Sequence, residues 1–229
     1  AGIVKDAARF LEEGEKRQLS YAVRNTHRTI GTRVSSHIVK RFGMRNTLQP
    51  DHLRISLSGS AGQSLGAFGA PGLKLEVAGD ANDYVGKGLS GATIVVRPHV
   101  ASPLIPADDT IIGDTVLYGG GAVILGGIGA NFGAGMTGGM AYLFDPEGLA
   151  TSRMNMETLV TCPVTVDHWE SQLKDLIEAH LAETGSRRAH EILQDWDITR
   201  TQFVQVCPKE MLDKLPVPLG LDEAAVPAE

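Results

Sequence analysis

The chain has 229 residues, of which 42% are hydrophobic and 21% charged, and its formal net charge is −6. This length supports one large domain, or one domain with a small appendage, without help from a metal or a disulfide. The acidic balance argues against a nucleic-acid or anionic-membrane partner, and the absence of any run of 18 apolar residues excludes a transmembrane helix.

Residues 1–20 are predicted to form an N-terminal helical cap. Ile3, Ala7, Phe10 and Leu11 recur at helical spacing, and Gly14 follows them as a stop signal. No basic segment followed by an apolar one opens the sequence, so a secretory signal is not expected and the predicted location is the cytoplasm.

The centre of the chain is rich in glycine and repeats itself. Most of the 27 glycines lie between residues 59 and 148. A shift of 47 residues superposes four pairs: Gly79 on Gly126, Gly86 on Gly133, Gly88 on Gly135 and Gly91 on Gly138. A shift of 20 superposes three more: Gly59 on Gly79, Gly66 on Gly86 and Leu75 on Val95. The apolar content argues against disorder, so these glycines indicate tight backbone corners.

The repeat period is 19 to 20 residues, with one insertion near 100–109. In each unit a glycine-rich stretch precedes a predicted strand: 73–77, 93–96, 122–125 and 141–144. Such a unit cannot bury its own apolar face, so each turn of chain is expected to stack on the previous one with parallel strands. The predicted fold is a mainly β, single-stranded, right-handed parallel β-helix over 21–165 with short flanking helices. The predicted corner residues are Gly72, Gly91, Gly119 and Gly138.

Two glycine triplets, Gly86-x-Gly88-x-x-Gly91 and Gly133-x-Gly135-x-x-Gly138, match the dinucleotide-binding fingerprint. A functional fingerprint follows a strand and opens a helix. Each triplet here precedes a stretch typical of a strand and recurs at the repeat spacing. Repeat corners are therefore the favoured interpretation, and a nucleotide-binding subunit is the alternative.

Asn82, Asp83, Tyr84 and Lys87 form the most varied polar cluster of the repeats. It is interpreted as a corner held by an Asn or Asp side chain bonded to backbone amides, with an anion site at Lys87 as the alternative. The seven histidines are scattered, and no nucleophile-elbow pattern occurs. The sequence predicts no catalytic, cofactor-binding or metal-binding residue.

The region 166–214 is predicted to be a C-terminal helical cap. Its first helix covers 168–184, with Asp167 as N-cap, Glu170 completing a capping box and Gly185 ending it. A second helix begins at Ser186 and is expected to bury four residues: Ala189, Ile192, Leu193 and Trp196. Residues 215–229 are expected to be an extended tail. The two cysteines, Cys162 and Cys207, are predicted to be buried reduced thiols.

Four segments of the repeat region resemble the signatures of one known family, the C-terminal domain of the glutamate synthase large chain: 59–64, 82–88, 112–119 and 131–139. Asn25-Thr-His-Arg28 with Gly31, and the later segment Thr184-Gly-Ser186, are also similar to that family. The resemblance covers roughly residues 21–212. A related β-helix subunit occurs in formylmethanofuran dehydrogenase, but the flanking segments here resemble glutamate synthase more.

This resemblance implies a structural role. Glutamate synthase makes two glutamates from glutamine and 2-oxoglutarate, using an amidotransferase domain and a synthase domain that carries FMN and an iron–sulfur cluster. The β-helix domain is expected to hold those domains in place as a non-catalytic scaffold, with no cofactor of its own. The chain alone is then not an enzyme, and its expected partners are those two domains of the same polypeptide.

The sequence departs from that family after Gly119, where some 40 residues, about two coils, are absent. The step from Gly119 to Gly138 still keeps the repeat phase. A stack of similar layers can lose whole layers and still close, because each coil contacts only its neighbours.

A further hypothesis for the function of the chain is an interaction module that self-associates through exposed coil edges.

Overall fold

The computed structural model describes residues 2–44, 48–103, 121–126, 128, 132–133, 136 and 138–220, with the backbone alone at 121 and 122. The chain divides into two compact units, Ala1–Gly120 and Gly121–Glu229. Each unit contains one four-stranded sheet with short flanking helices. No described helix is both long enough and apolar enough to cross a membrane.

The first unit contains, in its described part, three helices and four strands. Its helices are α1 (Gly2–Asp6), α2 (Ala8–Glu13) and α3 (Thr32–Phe42). Its strands are β1 (Arg17–Val23), β2 (Leu53–Ala61), β3 (Leu73–Ala81) and β4 (Thr93–Arg97). All neighbouring strands are parallel, in the order β1-β2-β3-β4.

Stacked aliphatic side chains form the core of the first unit. Leu53 pairs with Leu73, Ile55 with Leu75, and Leu57 with Val77, and all six are nearly inaccessible to solvent. Alternation along each strand sends every second side chain inward, so identical positions of successive turns cover one another. Helices α2 and α3 and the residue before α2 add further apolar side chains to this core: Ala7, Phe10, Val34 and Ile38.

Between β2 and β3, Gly59 pairs with Gly79, which is one of the pairs that the shift of 20 superposes. Between β3 and β4 the predicted pairing of Leu75 with Val95 is wrong by one position, because Leu75 pairs with Ile94. The Ser90 amide still donates to the Gly69 carbonyl, at the same offset as the bonds earlier in the turn. The stretch of chain between Ser90 and the start of β4 is therefore one residue shorter than the corresponding stretch before β3.

The second unit combines parallel and antiparallel pairing. Its strands are β5 (Gly121–Ile124), β6 (Met140–Phe144), β7 (Leu159–Pro163) and β8 (Phe203–Pro208), in the order β5-β6-β8-β7. The pair β5–β6 is parallel, with Gly121 paired to Met140, whereas β8 is antiparallel to both neighbours. Sequence patterns did not predict β7 or β8.

The helices of the second unit are α4 (Asp167–Thr184), α5 (Arg187–Gln194) and α6 (Trp196–Thr199). Gly185 ends α4 in the left-handed conformation, as predicted. Asp167 is the first helical residue and makes no capping bond, so the predicted capping box is wrong. Ser186 caps α5, since its hydroxyl accepts a hydrogen bond from the Ala189 amide at 3.2 Å.

Several short elements complete the description. Single 3₁₀ turns occupy Ala150–Arg153, Arg200–Gln202 and Lys209–Lys214. The predicted N-terminal helix is divided at Ala7 into α1 and α2. Residues 215–220 of the predicted tail have no regular structure, yet Leu219 is buried and the Trp169 indole donates to the Pro218 carbonyl at 3.1 Å. The predicted domain boundaries at 20, 165 and 214 remain a prediction.

Candidate functional site: the stacked turns

The glycine-rich turns of the first unit repeat their backbone conformation from one layer to the next. Ser64 and Tyr84 occupy equivalent positions with φ of 63° and 62°, and Gly66 and Gly86, each two positions further on, have φ of 66° and 67°. Non-glycine residues rarely adopt positive φ, because their Cβ approaches the carbonyl oxygen. The stacking therefore holds Ser64 and Tyr84 in a conformation that each alone would avoid.

Hydrogen bonds between successive layers fix these turns. The Ser64 amide donates to the Asp83 carbonyl at 2.9 Å, and the Phe68 amide donates to the Lys87 carbonyl at 2.7 Å. In the opposite direction, the Gly86 amide donates to the Leu65 carbonyl at 2.8 Å. These three backbone donors of the turns are thus used between layers.

The triplet Gly86-x-Gly88-x-x-Gly91 lies in these turns and leads directly into β4. The helix that a dinucleotide fingerprint must open is therefore absent at this triplet. Gly88 is covered by the Phe68 ring, since a Cβ there would lie 2.5 Å from Cδ1 of that ring. A strand and not a helix follows this triplet, as the repeat-corner interpretation expects. The second triplet includes residues 134, 135 and 137, which lie outside the described residues, and strand β6 follows it.

The Asn82 cluster contains the side-chain bond to a backbone amide that its structural interpretation predicted. The Asn82 Oδ1 accepts a hydrogen bond from the Asp83 amide at 2.7 Å, and its Nδ2 donates to Asn25 Oδ1 at 2.9 Å. The Lys87 ammonium lies 5.4 Å from the centroid of the Tyr84 ring. These side chains stabilise the turn and join it to the layer that contains Asn25.

Two of the four predicted corner glycines have the expected conformation. Gly72 has a φ of 85° and Gly91 a φ of 128°. A Cβ on Gly91 would lie 2.8 Å from Cγ of Pro71 in the preceding layer. Gly119 lies outside the described residues, and beside Gly138 the residue Gly139 has a φ of 86°.

A shallow cleft of about 420 Å³ opens beside Gly72 and Gly91. The one charged group in its described lining is the Asp51 carboxylate, which pairs with the Lys74 ammonium at 3.1 Å. Lys74 is only 2% exposed and also lies 3.7 Å from Glu76. The carboxylate in the cleft therefore serves mainly to neutralise a buried ammonium group.

Sequence reasoning missed this ion-pair cluster, which continues across β2 and β3 to Arg54. The guanidinium of Arg54 donates two hydrogen bonds to the Glu76 carboxylate. Burial opposes ionisation of Glu76, but the hydrogen bonds and positive charge of Arg54, together with Lys74, outweigh it and lower the pKa of Glu76. Once Ser56 is known to pair with Glu76, Arg54 falls diagonally opposite that carboxylate, and the ion pair follows from register.

The cysteines of the second unit are free and buried, as predicted. Gln205 donates from Nε2 to the Cys162 sulfur at 3.1 Å, on the neighbouring strand. Burial raises the pKa of both thiols, that of Cys207 to about 11. A thiol with a raised pKa carries little thiolate at neutral pH and is a poor nucleophile.

In the described part of the chain, no three His, Cys, Asp or Glu side chains converge in a way that could hold a metal ion. The buried Tyr142 donates to Gln172 Oε1 at 2.7 Å, and burial raises the pKa of its phenol. The prediction that the chain has no catalytic residue stays a prediction.

Comparison with known proteins gives two kinds of match. The family model described as "GXGXG motif" matches residues 1–122 and again 119–209. The glutamate synthase (NADPH) large chain of Azospirillum brasilense is 50% identical over 264 residues, covering 98% of this chain and 17% of that protein. Ferredoxin-dependent glutamate synthase 2 of Synechocystis sp. is 36% identical over 234 residues, covering 85% of this chain and 15% of that protein.

These matches also bear on the missing coils. The alignment with the Azospirillum protein is longer than the 229 residues of this chain, so that relative has residues without a counterpart here. The two matches to the family model meet at 119–122, where the sequence patterns located the loss. The chain spans less than a fifth of the length of these relatives.

Proposed function

Because the chain belongs to the GXGXG-motif family, as a domain of the glutamate synthase large-chain type, we propose that it is a non-catalytic scaffold and inter-domain spacer of such an enzyme. The parent reaction is the conversion of glutamine, 2-oxoglutarate and reductant into two glutamates. In this proposal the amidotransferase and synthase domains lie elsewhere in the same polypeptide, FMN and the iron–sulfur cluster are bound there, and the whole acts in the cytoplasm.

We further propose that the layers form the right-handed parallel β-helix predicted for 21–165. Support comes from the parallel register of β1 to β4 and from the parallel pairing of β5 with β6. The right hand follows from the crossover rule for parallel strands. A stack of this kind gives a stiff body whose length is set by the number of layers, which suits a spacer.

The scaffold proposal rests mainly on one observation: polar groups of the glycine-rich turns form hydrogen bonds within the stack. The backbone amides of Ser64, Phe68 and Gly86 bond to carbonyls of the adjacent layer. The Asn82 side chain bonds to its own turn and to Asn25. These three amides and the Asn82 amide group, which could otherwise have bound a phosphate, instead join one layer to the next or hold their own turn.

Point substitutions in the full-length enzyme test this proposal. Asn82→Ala and Lys87→Ala remove the polar groups of one turn, and we expect the glutaminase and glutamate-forming rates to stay within about twofold of wild type. Circular dichroism checks that the fold is retained. A folded Lys87→Ala variant that loses most of either activity would contradict a purely structural role.

Ligand binding provides a second test. Thermal unfolding of the chain is measured with increasing FMN, NADH or NADPH, since a ligand that binds the folded state raises its melting temperature. We expect no saturable rise. A saturable rise would favour a cofactor-binding subunit over the scaffold.

A further inference from the structure

The sequence carries a long basic stretch in an otherwise acidic chain. Residues 16–50 contain eight lysines and arginines and not one aspartate or glutamate, whereas the whole chain has a net charge of −6. A block of one charge sign is typical of an interaction surface. The described part of this stretch comprises β1, the turn after it and helix α3.

Helix α3 gathers part of this charge on one exposed face. Four side chains lie at i, i+4, i+7 and i+8, and all four are exposed: Arg33, His37, Lys40 and Arg41. Among the described residues, no carboxylate forms an ion pair with Arg33, Lys40 or Arg41. The Arg41 guanidinium reaches only the backbone carbonyl of Glu12, at 3.5 Å, and the Phe42 ring.

Stabilisation of α3 does not account for this pattern. Cations near a helix C-terminus interact favourably with its dipole, which suits Lys40 and Arg41. Arg33 lies in the first turn of α3, at the positive end of the same dipole, where a cation is unfavourable. An acidic partner outside the helix would explain why cations occur at both ends of α3.

A groove runs beside this face, between α3 and the helices α1 and α2. Its volume is about 390 Å³. Val4, Ala8 and Leu11 contribute aliphatic surface to it, and His37, Lys40 and Arg41 line it with basic groups. Glu12 is the one acidic residue in the described lining.

This combination fits an amphipathic acidic helix better than other anions. We call Val4, Ala8 and Leu11 the aliphatic floor of the groove. An acidic helix offers aliphatic side chains at i, i+3/i+4 and i+7 that can contact this floor, and carboxylates that can pair with the basic side chains beside it. A nucleic acid would leave the aliphatic floor unused, and none of the described lining residues is a Phe, Tyr or Trp that would offer a large stacking surface to a base. A lipid surface is flat, whereas this aliphatic surface is recessed between helices.

We propose that this groove docks an acidic, amphipathic helix from another part of the same polypeptide. The proposal rests on the proposed function, since it requires chain beyond these residues. The relatives place more than four fifths of their length outside the matched segment. A groove this small gives weak binding between separate molecules, and a tether within one polypeptide supplies the effective concentration that such a contact needs.

Zero-length cross-linking of the full-length polypeptide tests the docking. A carbodiimide joins an amine to a carboxylate that is already in contact, so Lys40 reports what occupies the groove. We expect mass spectrometry to find Lys40 linked to an Asp or Glu outside these 229 residues, within a single polypeptide. The exposed Lys87, on a turn of the stack, is the control lysine in the same sample.

Three variants separate the contributions of the reacting amine, the positive charge of α3 and the aliphatic floor to the cross-link. Lys40→Arg keeps the charge and must abolish the cross-link. Arg33→Glu lies away from the reacting amine and is expected to reduce its yield roughly threefold, the effect of losing one exposed charge contact. Ala8→Glu blocks the aliphatic floor and is expected to reduce the yield at least as much, while the Lys87 products stay constant in every variant.

Other outcomes overturn the docking. A Lys40 cross-link only to Glu12 would mean that the groove holds no partner, and one to a second polypeptide would exclude a partner in the same chain. A yield unchanged in Arg33→Glu and Ala8→Glu would also contradict the proposal. A gene product without further domains would refute the proposed function itself. Failure of the docking proposal can therefore be distinguished from failure of the proposed function.

Discussion

At the scale of single residues, the strongest constraint lies at the corners of the stack. Gly91 combines a φ of 128° with a position against Pro71. We predict that Gly91→Val lowers the free energy of unfolding by more than about 1 kcal/mol, from backbone strain and steric overlap together. Chemical denaturation measures the change.

Gly148→Val is the matched control, because Gly148 has a φ of 70° but no atom within 4 Å of the position a Cβ would take. The Gly148→Val protein should show the backbone strain of a positive φ without steric overlap of the new side chain. A Gly91→Val protein no less stable than the Gly148→Val protein would count against close packing at that corner.

Phe68 offers the reverse experiment, since it is a non-glycine residue with a φ of 56° and 60% exposure. Phe68→Gly and Phe68→Ala both remove the ring, so they differ mainly in backbone freedom. We expect the glycine variant to be more stable by about 1 kcal/mol, because glycine adopts positive φ without strain.

The same pair of substitutions at exposed Ile198, in helix α6, should give the opposite order, since alanine is favoured there. If Phe68→Ala proved as stable as Phe68→Gly, the left-handed conformation would not be a source of strain.

Glu76 links stability to pH. Its pKa is lowered in the folded state, so its ion pairs contribute fully above the unfolded value near 4.5 and are lost as pH falls through the lower folded value. We predict that Glu76→Gln is less stable than wild type at pH 7 and that the difference shrinks below pH ~4.5. Unfolding curves from pH 7 to pH 3 measure it. Glu147→Gln, on an exposed turn, is the matched control for removing one carboxylate.

At the scale of elements, most local signals for helix ends were correct, and the capping box at Asp167 was the exception. Gly14, Gly185 and Ser186 end or begin helices where the sequence predicted it. Strands β1 and β2 and helix α3 were missed. Arg17 pairs with Leu53 across a much longer stretch of chain than separates β2 from β3, because α3 lies within it. A search at a fixed period cannot detect a layer that contains an extra helix.

The cap of α5 gives a prediction at this scale. Ser186→Ala removes the hydroxyl that accepts from the Ala189 amide, and we expect a loss of about 1 kcal/mol in the free energy of unfolding. Ser171→Ala, at an exposed position within α4, is the control and should change stability little. Equal effects of the two substitutions would argue against the cap.

At the scale of the whole molecule, layering predicts which deletions are tolerated. Removing 53–72 takes out one repeat and joins His52 to Leu73, which then takes the place of its partner Leu53, so inward and outward positions remain in phase. We expect a cooperatively unfolding protein of reduced stability. Removing only 53–62 shifts the phase by half a layer and should abolish cooperative unfolding. Equal behaviour of both deletions in circular dichroism and urea titrations would contradict a layered fold.

Sequence patterns were enough to predict the 20-residue offset between β2 and β3, strands β3 to β6, two of the corner glycines and the family. Each of these follows from residues close together in the chain or from similar segments along it. Four features could be recognised only in the folded chain: the register of β4, the antiparallel β7–β8 pair, the buried Lys74 cluster and the groove beside α3. Those features depend on which distant side chains meet once the layers are stacked, and one inserted helix or one residue fewer in a turn changes that outcome while leaving the local pattern the same.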